Sequence, residues 1–230
     1  MTTTSFRRTV SGLLLLAAIA ACGTGTEKAA PAAPASAAPT GASTPAPASP
    51  AGIPAAALLQ PADIRGARPE NLEQGEYAYV RPLRPCGDAR YRSDSTRTAA
   101  VAKRYVVPGP GQETVPTVVV QFIGRHSAGG AAGQVQDIDA ALAKCPGGLG
   151  EGRRKWDIIE SDADSILVRI GQRFSYADEE PATVNHYAAL ARVNDAIVVV
   201  ADMGWENMDG SEDLVRDLIG KARQRAEAVG

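Results

Sequence analysis

The sequence of 230 residues lacks an apolar run long enough to cross a bilayer. Its N-terminal run, Val10 to Ala21 (VSGLLLLAAIAA), is apolar apart from Ser11 and Gly12. As a helix it rises about 18 Å, against a hydrocarbon core of about 30 Å. Positive charge is not in excess either: 24 Lys and Arg face 26 Asp and Glu, a formal charge of −2, which argues against nucleic acid as a partner. There are two histidines and three cysteines, and no C-x-x-C pair. No G-x-S-x-G elbow is present, and Gly124, Gly129, Gly130 and Gly133 do not fall into a G-x-G-x-x-G or Walker order. A nucleotide site, a redox dithiol and an α/β-hydrolase nucleophile are thus without sequence support, and no internal repeat is visible.

What is there begins with a signal-peptide pattern. Arg7 and Arg8 precede the short apolar run, which ends in Ile19-Ala20-Ala21-Cys22. An aliphatic residue and two small ones before a cysteine resemble the lipobox of bacterial lipoproteins. The resemblance implies cleavage before Cys22, a diacylglyceryl thioether on its sulfur, and residence at the outer face of a cell membrane. More than one acyl chain meets the energetic need, because a single chain holds a protein only marginally. Loss of residues 1 to 21 removes two arginines and no acid, so the formal charge moves from −2 to about −4. No basic face is left to grip anionic lipid, which makes the lipid the sole evident membrane contact. The plain alternative is a secreted protein cut at an A-x-A-like site.

From Gly23 to Pro54 nearly every residue is Ala, Pro, Ser, Thr or Gly, with Glu27 and Lys28 as the charges and no aromatic. Such a segment has too little to bury for folding. It reads as a spacer of roughly 30 Å as a coil and about 100 Å fully extended. Its Ser, Thr and Pro content also suits O-linked sugar. The expected organisation is a signal peptide over 1–21, a lipidated cysteine and linker over 22–54, and a folded domain over 55–230.

Within that domain, Leu58-Leu59-Gln60-Pro61-Ala62-Asp63-Ile64 predicts one or two helical turns. A loop-rich stretch holding Tyr77 and Tyr79 runs to Cys86. Residues 98–107 and 115–125 are rich in β-branched and aromatic types around a Pro-Gly-Pro-Gly turn, the pattern of a hairpin. Ser127 is an expected N-cap for a helix bearing Val135, Ile138, Ala141 and Leu142 on one face, ended by Pro146-Gly147-Gly148. Strands are expected over 156–160, 165–174, 187–193 and 196–203, the last two joined at Asn194-Asp195. The nearly all-apolar AIVVVADM belongs in the middle of the sheet. Caps at 209–212 and the stripe Leu214, Val215, Leu218, Ile219, Ala222 predict a C-terminal helix. The fold class is α+β: a twisted, mainly antiparallel sheet with two principal amphipathic helices.

With Cys22 lipidated, Cys86 and Cys145 remain in a domain that folds outside the cytoplasm, and a disulfide is their natural use. A metal pair needs more clustered ligands, and a redox dithiol normally has its cysteines two residues apart.

The anchor, the Ala/Pro spacer, the Leu58–Ile64 opening, a cysteine before the strands, a second cysteine closing the helix after them, and a final apolar strand plus helix together resemble the PknH-like extracellular sensor domains of actinobacteria. The likeness covers residues 55–230 in order and spacing, without a sharp motif. Members of that family occur on receptor kinases and as free-standing lipoproteins. Membership implies a non-enzymatic α+β sensor or ligand-binding module with a groove and no cofactor. The family often carries a second disulfide, for which this chain lacks cysteines. With no kinase domain in the sequence, a signal would have to pass through another envelope protein.

Candidate chemistry is sparse. Arg153-Arg154-Lys155-Trp156 sets three cations before an indole, suited to an anionic ligand or wall polymer; the competing reading is a solvated loop with Trp156 entering the core. Trp205, in a loop after the apolar strand, is either exposed for recognition or a cover on the hydrophobic edge. His126 and His186, as a metal pair with Asp137 or Glu180, would have to converge; strand-end or surface positions are the default. Ser127 beside His126 is better explained as a cap than as a nucleophile. Glu160-Ser161-Asp162-Ala163-Asp164 departs from the calcium loop pattern and reads as a solvated turn. The leading expectation is a sensor-like module binding a small ligand or envelope component. A scaffold subunit docking on an envelope protein and an envelope hydrolase are the rivals.

Overall fold

Runs rich in β-branched and apolar residues yield most of the strands, and 3.6-residue periodicity yields the two helices. In the computed structural model, which describes residues 52–111, 114–150, 152–174 and 180–227, the strands are β1 (Arg97–Val107), β2 (Thr117–His126), β3 (Gly147–Gly150), β4 (Arg153–Ser161), β5 (Ser165–Phe174), β6 (Ala182–Val193) and β7 (Ala196–Asp202). The helices are α1 (Gly130–Lys144) and α2 (Glu212–Ala226). All strands pair antiparallel in one sheet of order β1-β2-β7-β6-β5-β4-β3, so the α+β expectation holds. The expected export signal, Cys22 and the expected spacer as far as residue 51 lie outside the described residues.

The sheet buries both faces. On one, Tyr105, Val119, Ile123, Val198 and Val200 pack with Leu218 and Ala222 of α2 and with Ile53, Leu59 and Ile64. On the other, Val120, Phe122, Ile166, Val168, Leu190, Ile197 and Val199 pack with Val135, Ile138 and Leu142 of α1 and with Val80 and Leu83. Because β7 lies between two strands and under both layers, all seven of its residues are buried, in keeping with its apolar sequence. Gln121, buried in β2, accepts from Leu59 N at 2.9 Å and from the Tyr105 hydroxyl at 3.0 Å, which fastens the domain's opening segment to the sheet.

Four local expectations change. Ile53, placed by composition in the spacer, is 2% exposed and part of the core, so the fold starts earlier than residue 55. The opening forms a 3₁₀ turn at Ala55–Ala57 and bonded turns over 60–66. Ser127 does not cap α1; the N-cap is Gly129, in the left-handed region at φ 78°, and the following Gly130 comes so close to Thr96 that a Cβ there would meet its hydroxyl at 2.3 Å. Glycine is needed because the chain must turn out of β2 and back across it within three residues. Finally, Pro146-Gly147-Gly148 does end α1, but Gly147–Gly150 goes on to pair with β4 as a short edge strand.

The C-terminal helix follows its caps. The Ser211 hydroxyl accepts from Leu214 N, and Val215, Leu218, Ala222 and Ala226 form the buried stripe. Asn194, at φ 52°, makes the tight β6–β7 turn. That turn fixes the register in which Tyr187 faces Asp202.

Candidate functional site

The two covering layers do not reach the end of the sheet where β7 finishes, and a cleft of about 1050 Å³ remains on the α1 side. Register determines its floor. Trp156 of β4 stands opposite Ile170 of β5, which stands opposite His186 of β6, and Met203 and Val118 continue this row beyond the end of β7. One row outward, Arg154 faces Gln172, and both side chains line the cleft. Strand alternation therefore turns Arg154, Trp156, Gln172 and His186 to one face.

The wall is the irregular segment from Gly75 to Asp88, which contributes Tyr77, Tyr79 and Arg84. A chain of turns shapes it, including Val80 N to Tyr77 O at 3.0 Å and Arg84 N to Tyr79 O at 2.7 Å. Val80 and Leu83 are fully buried and anchor it to the core. The Cys86–Cys145 disulfide, with Cα atoms 5.3 Å apart, ties its end to the C-cap of α1. Gly147, Gly148, Gly152 and Arg153 form the opposite rim.

Aromatic and cationic groups meet inside. The Tyr79 ring stands edge-on to Trp156, centroids 6.2 Å apart and planes at 85°. Over the same Tyr79 ring lies the Arg154 guanidinium, 3.6 Å from the centroid. Burial pushes the Tyr79 phenol above its ordinary range, with Arg154 pulling the other way. Among the described residues no carboxylate pairs with Arg154, and its Nε is buried without a partner. His186 is 9% exposed; burial, reinforced by the neighbouring Arg154 charge, lowers its pKa to about 4, so the ring is neutral at pH 7. Its Nδ1 is also buried without a partner. Arg81, Arg97, Gln121, His126 and Gln134 each carry one such atom elsewhere in the fold, so it is the grouping of Arg154, Tyr79 and His186 that distinguishes the cleft.

Two further cavities differ in character. One of about 710 Å³ lies across the Tyr77–Tyr91 segment and holds Arg81, Arg84, Arg90 and Arg97, but Asp94 already accepts from both Arg84 and Arg97. The other, of about 290 Å³, is lined by Arg65, Val115, Thr117, Asp202, Trp205 and Met208. The Asp202 carboxylate there is fully engaged by the Thr117 hydroxyl, Gly204 N and Ser211 N, although burial raises its pKa.

Of the sequence candidates, Arg153, Arg154 and Trp156 come together in the large cleft, whereas Trp205 is half-buried in the small separate cavity. Arg153-Arg154-Lys155 is not a loop but the start of β4, and Trp156 is 4% exposed, so it serves the core and the cleft floor at once. Neither histidine is a surface residue: His126 is 3% exposed at the end of β2, with Nδ1 2.8 Å from the Thr96 hydroxyl. Register sets it level with Asp195 at one end of the sheet and His186 level with Met203 at the other, roughly 26 Å away along the strands at 3.3 Å per residue, so the two do not converge. Asp137 accepts from Ser93 N and Oγ, and Glu180 is exposed. Asp162 closes the β4–β5 turn by accepting from Asp164 N and Ser165 N, and Glu160 pairs with Arg216 of α2. Tyr77, Tyr79 and Gln172 are among the cleft residues that sequence reasoning did not select, and His186 was weighed only as a metal ligand.

No family model and no curated protein matches the chain. Among solved structures it is similar to the crystal structure of the extracellular domain of PknH from Mycobacterium tuberculosis, with a TM-score of 0.40 and 18% sequence identity, over 62% of this chain and 76% of that one.

Proposed function

We propose that this chain is a lipoprotein held by lipid on Cys22 at the extracytoplasmic face of a cell membrane, and that its folded domain is a non-enzymatic, sensor-like module that binds a small ligand or envelope component. The observation that carries the binding half is the cleft over β4–β6, where the Arg154 guanidinium lies on Tyr79 with no carboxylate partner among the described residues and the neutral His186 ring lines the same cleft. A concave site that brings aromatic rings, a cation and a neutral imidazole together is the kind of place where a small ligand binds. The anchoring half rests on Ile19-Ala20-Ala21-Cys22 and on the spacer that follows.

The docking rival has one observation in its favour. Ile158 and Ile159, 45% and 37% exposed, sit where β4 runs past the end of β3 as an open edge. Two side chains make a small patch beside a cleft of 1050 Å³, so ligand binding is the better supported reading. A hydrolase finds less support, because His126 is hydrogen-bonded to Thr96 outside the cleft.

Both halves can be tested in the producing organism. Cys22→Ala should move the protein from the membrane fraction to the medium; retention in the membrane would contradict the anchor. Addition of a small-molecule extract of the cell envelope should raise the melting temperature of the wild type and not that of Arg154→Gln, and an equal response in both would remove the cleft as the binding site.

A further inference from the structure

Two polar side chains of the cleft, Arg154 and His186, can donate to a ligand. Arg154 is donor-only, and with Nε buried its terminal nitrogens are the ones left to face a ligand. For His186 the tautomer follows from burial: a proton on Nδ1 would be a donor enclosed without an acceptor, which costs more than an enclosed lone pair, so the proton belongs on Nε2. No hydrogen bond ties Nε2 to any described group. Arg154 and His186 lie on the strands either side of β5, offset by two residues along the strands, and the charge of Arg154 is felt at His186.

Charge balance narrows the ligand further. Arg84 is committed to Asp94, while the acids of the lining, Asp88 and Glu206, are exposed at its edge. Asp209, the carboxylate that His186 senses, is bonded to Asn185 N at 2.7 Å. Among the described residues Arg154 is thus the one cation unmatched in the interior, with Arg153 exposed on the rim, and it matches one negative charge. Around it the surfaces are flat and apolar: Trp156, Tyr77 and Tyr79.

We infer that the inner end of the cleft is a carboxylate site, in which the terminal nitrogens of Arg154 and the Nε2–H of His186 hold the acid group of a small ligand whose flat apolar body lies along Trp156, Tyr77 and Tyr79. The inference rests on the binding reading above and adds the ligand's chemical class. A guanidinium fork matches the two oxygens of a carboxylate, and burial strengthens the pair. A phosphate dianion would bring a second charge that only Arg153, exposed on the rim, is there to meet.

The test uses imidazole ¹⁵N–¹H NMR on the purified protein, whose two histidines give a simple spectrum that His186→Asn assigns. Hippurate, an aromatic acid with one carboxylate, should shift the His186 signals saturably and leave those of His126 in place. Hippuramide, its neutral amide, should bind about tenfold more weakly or worse, the size of one lost charge-assisted bond. Phenyl phosphate should also be the weaker ligand. Arg154→Gln should abolish the hippurate shift, and Arg154→Lys, which keeps the charge and loses the fork, should weaken it. Equal binding of hippuramide would overturn the carboxylate site while leaving the cleft a binding site. A tighter phenyl phosphate would overturn the single-charge argument. No His186 shift with any probe would overturn the inference outright, and the binding reading would then stand or fall on the envelope-extract experiment alone.

Discussion

The Arg154 guanidinium lies 3.6 Å from the centre of the Tyr79 ring, joining the first turn of β4 to a wall that has no regular secondary structure of its own. Tyr79 in turn meets Trp156 edge-on, so cation, phenol and indole form one stack across the cleft. A double-mutant cycle with Arg154→Gln and Tyr79→Leu should give a coupling energy of roughly 1 kcal/mol in thermal or urea unfolding. Strict additivity of the two substitutions would show that the stack contributes nothing to stability.

The disulfide should matter for stability and for the cleft together. Closing a loop whose ends are 59 residues apart in sequence stabilises by about 4 kcal/mol on the chain-entropy account. Replacing Cys86 and Cys145 by Ser is therefore expected to cost about that much, measured as a fall in the urea midpoint. Because Cys86 ends the cleft wall, amide exchange of residues 75–88 should rise more than that of β7. A uniform rise would separate the disulfide from the cleft.

His186 makes stability depend on pH in a definite direction. Its folded pKa of about 4 lies below its unfolded value of 6.5, so the stabilising preference for the neutral ring is fully present above pH 6.5. As pH falls from 6.5 toward 4 the unfolded chain takes a proton that the folded chain refuses, and up to roughly 3 kcal/mol is lost, at about 1.4 kcal/mol per unit. His186→Asn should reduce the slope of this part of the profile, and His126, whose pKa burial also lowers, should account for slope that remains. The Asp63 carboxyl, lowered chiefly by its bond to Arg225, acts below that window, where its protonation weakens the fold in both proteins.

Much of the sheet was legible, because its information is local. The Asn194-Asp195 turn alone sets the β6–β7 register, and counting outward from it puts His186 opposite Met203 on the face shared with Ala188 and Leu190. His186 was thus within reach of the sequence as an inward-facing residue, and only its charge type suggested a surface position. The strand order was not legible, since β2 pairs with β7, whose sequence lies some 70 residues away, and nothing local announces that pairing. The wall was opaque for a related reason: residues 67–91 carry no periodicity, and their shape comes from turn bonds, from Val80 and Leu83, and from a covalent link to Cys145. Arg154 and Trp156 could be selected as chemistry, but Tyr79, which holds Arg154 in place, belongs to that wall.

Asp202 ends β7 and starts α2 through three bonds: it accepts from the Thr117 hydroxyl, from Gly204 N at 3.0 Å and from Ser211 N at 2.8 Å. Asp202→Ala would leave these donors without an acceptor and should destabilise by roughly 3 kcal/mol, read from chemical unfolding. Asp202→Asn, which keeps one carbonyl oxygen, should cost less. Equal losses would mean that charge, and not hydrogen bonding, is what the site needs.

The central claim is that the cleft over Trp156 and His186 is filled in the cell. Native mass spectrometry of the protein extracted gently from the producing organism measures this directly. The account predicts a discrete added mass on the wild type, released on denaturation, acidic in character, and absent from Arg154→Gln extracted in the same way. A wild type that is consistently empty, or an added mass that Arg154→Gln retains in full, would contradict it.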